Sequence, residues 1–507
     1  MKKTHRHLGK FALLLLALML VLPLFAACGS DEPGDSSVSS SASGDDSSSG
    51  PEEPKALVPS LGKADYSGHT LRVLAVEEES VLFEREQFGA TEYTSEPVND
   101  AIVSRNALLE QEYGFSLETE LIDPFTPFRD RIIMDMTAGT VSYDVATAGL
   151  QTVAMLAAEG VFRDLYSIED SHLDLTAPWW DTASNDDMTL MGKLFFATGD
   201  ILLLDDEFTR CIYYNKSLIE NNHLENPAEL VYDNAWTLDK MYEMAQAVAS
   251  DQDGEGMSVT GSDIWGIVGA AFDTYNLIMG CDAPQAEKNE EGLPQLAMMN
   301  QRNVAAFDKV IEIMHDKSCV AWCEQYYAWD HPDAGNVAGN FYKGQSLFLM
   351  STIHVVNSDD LRNAEIRYGI LPMPKLDSLQ DSYATTCDPY RFQVLSIMKT
   401  CEDTEFVTFA LEAMAYLSRE MVTPEYYERT LKNKRFLDDD DSPEMLDIIF
   451  SNRMVDISVA FNWDDCIQYY NNLVFTATPQ LASYVESRES SFNAEMEDTV
   501  EYLMGLS

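Results

Sequence analysis

The chain has 507 residues, with 85 acidic side chains against 33 basic ones and a formal net charge of −52. Nucleic acid is excluded as a partner, because binding it requires Lys and Arg to neutralise phosphates. The same field disfavours a strongly anionic solute unless local arginines override it.

Residues 1–27 read as a secretory signal. Lys2, Lys3, Arg6 and Lys10 give a basic start, and an apolar run from Phe11 ends in small residues. Polar linker follows at once, which separates this pattern from a spanning helix. Without those four cations the charge is −56, from 29 basic and 85 acidic residues. Cys28, between Ala27 and Gly29, resembles a bacterial lipobox cysteine, with Phe25 where that pattern usually has Leu. Two acyl chains on Cys28 would supply stable anchoring, which places the protein on the outer face of the cytoplasmic membrane. Residues 28–60 are rich in Ser, Gly and acid with no aromatic, so they read as a disordered tether reaching on the order of 30 Å. Beyond it lie roughly 440 residues, enough for two or three domain-sized cores.

Thr70 to Val76 predicts a strand, with an acidic turn at Glu77, Glu78 and Glu79. Val98, Ile102, Leu109 and Tyr113 recur at helical spacing, and Gly114 stops that helix. Alternation from Phe115 to Leu121 predicts a second strand. Phe128, Ile132 and Met136 predict a helix that ends at Gly139. Tyr143 to Ala148 is a short strand running into Gly149, Leu150 and Gln151, with a helix onward to Gly160. Strand and helix alternate, so a parallel sheet with right-handed crossovers is expected. Next come two apolar runs, Ile201 to Leu204 and Ile212 to Tyr214, around an acidic knot at Asp205, Asp206 and Glu207. Short apolar runs bounded by turn residues read as buried strands. Carboxylates between them need partners or water, so a cleft or surface is expected there.

Thr237 reads as an N-cap for a helix whose apolar face is Leu238, Met241, Ala245 and Val248. Val304, Phe307, Ile311 and Met314 form another such face. Phe341 to Met350 and Arg367 to Pro374 predict two more strand regions. Residues 402–418 read as a helix, and Ser442-Pro443 opens one further on. Seven cysteines follow Cys28 (211, 281, 319, 323, 387, 401 and 466), an odd number with no zinc-like spacing; most read as small buried residues. Disulfide pairing is left open by sequence.

The order of the Tyr214-Asn215-Lys216 strand, the Phe341-x-x-Gly344 segment and the Tyr368-Gly369-Ile370-Leu371-Pro372 strand resembles the type II solute-binding proteins of ABC importers, the maltose-binding-protein class. The resemblance implies an α/β, two-lobed fold, each lobe a mainly parallel sheet flanked by helices and joined by hinge strands. The expected lobes are 61–204 with 370–420, and 205–369 with 421–507. It also implies a monomer that takes a small solute, of which carbohydrate is the expected class, and hands it to ABC permease subunits.

In open α/β sheets ligands sit beyond the carboxyl ends of strands. That rule nominates Glu78 and Glu79, Gly149 and Gln151, Asp205, Asp206 and Glu207, and Ser351, Thr352 and His354; by resemblance these are where sugar-binding relatives place contacts. His354 stands where an aromatic often stacks on sugar, which implies a solute other than maltodextrin or different stacking residues. Trp179, Trp180, Trp322, Trp329 and Trp463 are the stacking candidates, and Trp463 joins the expected site. Asp251, Asp253 and Glu255, with Asp263, resemble an EF-hand-type calcium loop, although the acid falls one place after the twelfth position. An acidic Asp-Gly turn explains the same segment equally well. No other cofactor is expected. There is no His-Glu-x-x-His, Gly-x-Ser-x-Gly or phosphate-cradling glycine loop, so no catalytic residue is expected. Two rivals share the tether: a surface enzyme acting on polysaccharide, and a solute-binding sensor component.

Overall fold

Apolar side chains alternate with polar ones in the first strands, and the helices between them carry apolar stripes, so neither can bury its surface alone. The computed structural model describes residues 56–77, 87–123, 126–326, 336–431 and 441–505, all within the unit Lys55–Ser507. The strands are β1 (Thr70–Val76), β2 (Ser116–Ile122), β3 (Val145–Gly149), β4 (Arg210–Asn215), β5 (Trp265–Gly269), β6 (Ala286–Lys288), β7 (Pro294–Leu296), β8 (Val320–Trp322), β9 (Ser346–Thr352), β10 (Tyr368–Leu371) and β11 (Gln393–Ile397). They form one sheet of order β11-β3-β1-β2, a second of order β10-β4-β9-β5-β8, and a β6-β7 hairpin.

The first sheet follows the sequence closely. β1 pairs in parallel with both β2 and β3, Thr70 opposite Ser116 and Val73 opposite Val145. The connecting helix Pro97–Tyr113 starts on proline and ends at Gly114, whose φ of 81° is a left-handed conformation that glycine adopts without Cβ strain. β11 joins from far along the chain, antiparallel to β3, with Gln393 opposite Gly149. The second sheet mixes both senses: β5 is parallel to β8 and β9, whereas β4 is antiparallel to β9 and β10. Thr237 caps its helix as expected, its hydroxyl accepting from the Lys240 amide at 3.3 Å.

One expected strand is absent. Ile201 to Leu204 is buried, but it forms a turn that enters a short helix, Leu204–Glu207. Leu203 and Leu204 pack against Val98, Ile102 and Tyr426. The run is apolar because of that packing, not because it joins a ladder. The seven cysteines after Cys28 are all unpaired thiols, and six of them are buried.

The backbone passes from the first sheet to the second between β3 and β4, and returns between β10 and β11. The two crossings lie side by side. Thr209 and Cys387 form an antiparallel bridge, the Arg210 amide donates to Thr386 at 2.9 Å, and the Asp388 amide donates to Phe208 at 3.0 Å. A third segment joins them after helix Ser442–Ser451, which packs on β10. There Thr385 donates to Asn452 at 3.1 Å and accepts from the Met454 amide at 2.8 Å. The next helix, Ile457–Phe461, packs on Leu150–Ala158 beside the first sheet.

Candidate functional site at the crossing

Arg210 begins β4 as the chain leaves the first crossing, and it is the centre of a mixed polar and aromatic group. Its guanidinium lies 2.7 Å from Asp388 on the return crossing and 3.5 Å from Asp273, just past the carboxyl end of β5. Its Cζ sits 5.7 Å from the centroid of Phe272. The Phe272 ring is 6.5 Å from that of Tyr390, whose hydroxyl accepts from Gln468 at 3.0 Å. Tyr390 is more than half exposed. On the other flank Phe208 stacks on His354 with ring centroids 5.0 Å apart and planes 13° from parallel. Arg391 lies 5.2 Å above the same Phe208 ring.

Local chemistry fixes these positions. Asp273 accepts from the Ala270 amide at 2.8 Å and from Asn276 at 3.0 Å, closing the turn that follows β5. Gly269 is needed at that strand end: a Cβ there would meet the Asp273 carboxylate at 2.5 Å. Burial pushes the Asp273 carboxyl above its usual range, and Arg210 opposes the rise. A Cβ on Gly149, at the end of β3, would come within 2.8 Å of the Tyr390 carbonyl. The carboxyl ends of β3, β5 and β9 thus converge on the turn Asp388–Tyr390–Arg391. Flat faces beside hydrogen-bonding groups suit a polyhydroxylated ring, which offers hydroxyls and a weakly polar C–H face.

In sequence, no family model and no curated protein matches the chain. In structure it is similar to UspC of M. tuberculosis, with a TM-score of 0.54 at 13% identity over 84% of this chain and 100% of that one. It is also similar to a cyclo/maltodextrin-binding protein complexed with maltotetraose, with a TM-score of 0.52 at 14% identity over 87% and 98% of the two chains. The maltose-binding periplasmic protein MalE of Listeria monocytogenes, in complex with maltose, gives 0.52 at 14% over 86% and 98%. The chain has the two-lobed solute-binding-protein fold.

Within this two-lobed fold the residues expected from sequence divide. Gly149 and His354 belong to the convergent group. His354 is half-buried, its Nδ1 3.4 Å from the Glu207 carboxylate. Gln151 lies on the helix after β3, where its amide donates to the Val459 carbonyl at 3.1 Å. Ser351 and Thr352 are rungs of β9, which runs two residues past Met350, and Thr352 pairs with Arg210. Glu78, Glu79 and Trp329 lie outside the described residues.

Asp205 and Asp206 do not join the Arg210 group. They bind Arg453, at 3.4 and 2.7 Å. The same guanidinium reaches Asp181 at 2.8 Å, so three carboxylates grip one cation. This cluster lines a separate cavity of about 580 Å³, walled by Trp180, Asp200 and Tyr427 among others. Carboxylates between apolar runs needed a partner or water, and they found a partner 247 residues away.

Trp463 is not a ligand platform. It is 1% exposed. Phe461 is stacked 5.7 Å from it, Phe492 meets it edge-on, and its N–H donates to Thr499 at 3.0 Å. Trp179 and Trp180 both donate to the buried carboxylate of Glu412, at 3.0 and 2.9 Å. Trp322 donates to the Met314 carbonyl at 3.1 Å.

In the acidic loop, oxygens of Asp251, Asp253 and Asp263 lie within 4.8 Å of one another, and Glu255 is not in that group. The acid at the thirteenth place therefore reaches the cluster. The donors are hard oxygens, as calcium prefers. Asp251 already accepts from the Gly254 amide at 2.7 Å and from Gly256 at 2.9 Å. Asp263 likewise accepts from Gln252 and Ser258, both at 2.8 Å. Those bonds close the loop by themselves.

Sequence reading missed Arg210, Phe272, Asp273, Asp388 and Tyr390. The carboxyl-end rule would have found Phe272 and Asp273 had Trp265–Gly269 been read as a strand.

Proposed function

We propose that the protein is the solute-binding component of an ABC importer, tethered to the outer face of the cytoplasmic membrane through Cys28. Its solute is a neutral mono- or oligosaccharide, held between the two lobes and delivered to the permease. The observation that carries this reading is the convergence of three strand ends and two aromatic groups on the crossing segments at Arg210. A solute seated there would touch both lobes, and would shift the population toward the closed form by its extra contacts. Asp388 supplies an acceptor for sugar hydroxyls, and Phe272 and Tyr390 supply flat faces, while the buried carboxylates of Asp273 and Glu207 hold Arg210 and His354 in place. The solute-binding proteins of similar fold hold maltose and maltotetraose, which makes those two sugars the first probes. No step of bond cleavage is assigned to any residue. The acidic loop at 251–263 is proposed as a structural calcium site.

A thermal-shift screen with maltose, maltotetraose, monosaccharides and polyols tests the reading, because a ligand of the native state raises apparent stability. Saturable binding with the sugar recovered intact supports capture. Hydrolysis products, or no shift with any sugar, would overturn it.

A further inference from the structure

Away from the crossings, the two lobes are bonded to each other at two further places. The first is the hairpin β6-β7 of the second lobe, tied to the cap of helix Gln301–His315 by a bond from Asn300 to Glu287 at 2.9 Å. Lys288, at the end of β6, donates to the backbone carbonyls of Asp186, Asp187 and Thr189, the last two at 3.2 and 3.1 Å. These oxygens close helix Thr182–Met188 of the first lobe, and the last carbonyls of a helix lack partners within it. That helix is fixed to the first sheet: Asn185 donates to the Thr198 carbonyl at 3.1 Å, and Ala197 pairs with Leu395 of β11. The Met191 amide adds a bond to Gly292 in the hairpin turn at 3.4 Å.

The second place is helix Tyr469–Val474. It is held to the first lobe through Asp464, which accepts from the Tyr469 hydroxyl at 2.6 Å and whose amide donates to Glu495 at 2.7 Å. Glu495 lies on helix Leu481–Gly505, which packs on Leu150–Ala158. The segment also meets the second lobe. Tyr470 packs on Phe307 with ring centroids 6.0 Å apart, His315 donates to the Val474 carbonyl at 2.8 Å, and Phe475 meets Trp322 edge-on at 5.2 Å. Gln285, just before β6, donates its backbone amide to Asp456 at 2.7 Å and its side-chain amide to the Cys466 carbonyl at 3.2 Å.

We propose that the β6-β7 hairpin and helix Tyr469–Val474 form a clasp that holds the lobes closed through the chain's own contacts, so that a solute enters only while the clasp is open. The inference rests on the reading of solute capture above and adds its regulation. Each of these bonds joins two groups of the chain, so closure does not wait for a solute to touch both lobes. Two observations make the clasp releasable. Lys288 and Phe475 are exposed, so their contacts lie at the rim. At the centre, Tyr470 Oη and Gln285 Oε1 are buried without a hydrogen-bond partner in the protein. Such atoms oppose closure, because water satisfies them on opening. Apolar and carbonyl contacts on one side and two unpaired oxygens on the other leave an element with two states. Apparent affinity for a solute then scales with the open fraction.

Hydrogen exchange of the full chain, with no sugar added, reads the clasp. The reporter is the Gln285 amide, bonded to Asp456 at the start of the helix that packs on the first lobe. In the wild type it should be protected. Lys288→Met and, separately, Phe475→Ala should each quicken its exchange about fivefold, the scale of one hydrogen bond or one aromatic pair. Amides within β1-β2 and β5-β9 should keep their wild-type rates, since each pair lies inside one lobe. An unprotected Gln285 amide in the wild type would overturn the proposal, and that result needs no variant. So would a wild-type rate at Gln285 in either variant, or quickening shared with both sheets. A failed sugar screen would leave the clasp standing as a property of the two lobes, and an unprotected Gln285 would leave the screen standing.

Discussion

Replacing Arg210 with Met should cost about 3 kcal/mol of stability at neutral pH, through the buried carboxylate it leaves behind. Breaking a buried pair by removing one partner costs about 3–5 kcal/mol, mostly because a charge is stranded. Three features place this case at the low end. Asp388 is one-fifth exposed and can take water in place of the guanidinium, whereas Asp273 is 2% exposed and cannot. Asp273 also keeps its bonds from Ala270 and Asn276. Methionine retains the apolar contact beneath Phe272. The loss should depend on pH, with a defined sign. The folded-state pKa of Asp273 is already raised by burial, and losing Arg210 raises it further. A raised acid binds its proton more tightly folded than unfolded, so the variant regains stability as pH falls toward the ordinary carboxylate range. Urea denaturation at about pH 7.5 and about pH 5 measures both values. Adding Asp273→Asn should recover about half of the loss at neutral pH, because contacting charges are not additive. A cost below about 1 kcal/mol, or a second substitution that simply adds its own penalty, would refute the claim that Asp273 depends on Arg210.

Three further outcomes are expected. Tyr390→Ala and Phe272→Ala should each weaken binding of whichever sugar the screen finds by about 1–2 kcal/mol, with little change in melting temperature for exposed Tyr390; calorimetric titration showing unchanged affinity would remove them from the site. Millimolar calcium should raise the melting temperature of the wild type but not of Asp251→Asn, and chelator should reverse the rise; no calcium effect on the wild type would mean that the hydrogen bonds alone close the 251–263 loop. Cys28→Ser should shift the protein from the membrane fraction to the medium, and a variant that stays on the membrane would refute the lipid anchor.

The first sheet was legible because its signals are local. Leu71, Val73 and Leu74 sit in a buried strand, and Gly114 stops the helix after Tyr113, all readable within a few residues. Ile201 to Leu204 misled because a buried run looks alike whether it joins a ladder or packs under a helix. The expected site residues divided for a different reason. Asp205 and Asp206 were correctly singled out as carboxylates in need of company, but their partner Arg453 lies almost at the other end of the chain. Trp463 was a plausible platform by residue type alone, and only its packing against Phe461 and Phe492 shows that it is buried. His354 and Gly149 were reached by the strand-end rule, which works wherever the strand itself is recognised.

The triple seam at Thr209, Thr385 and Arg453 makes the two lobes mutually redundant in their attachment. A protease that severed the peptide chain at one of these places would leave the neighbouring strands still bonded across the cut. The nicked protein should therefore migrate as one particle under native conditions and separate into fragments only once denatured.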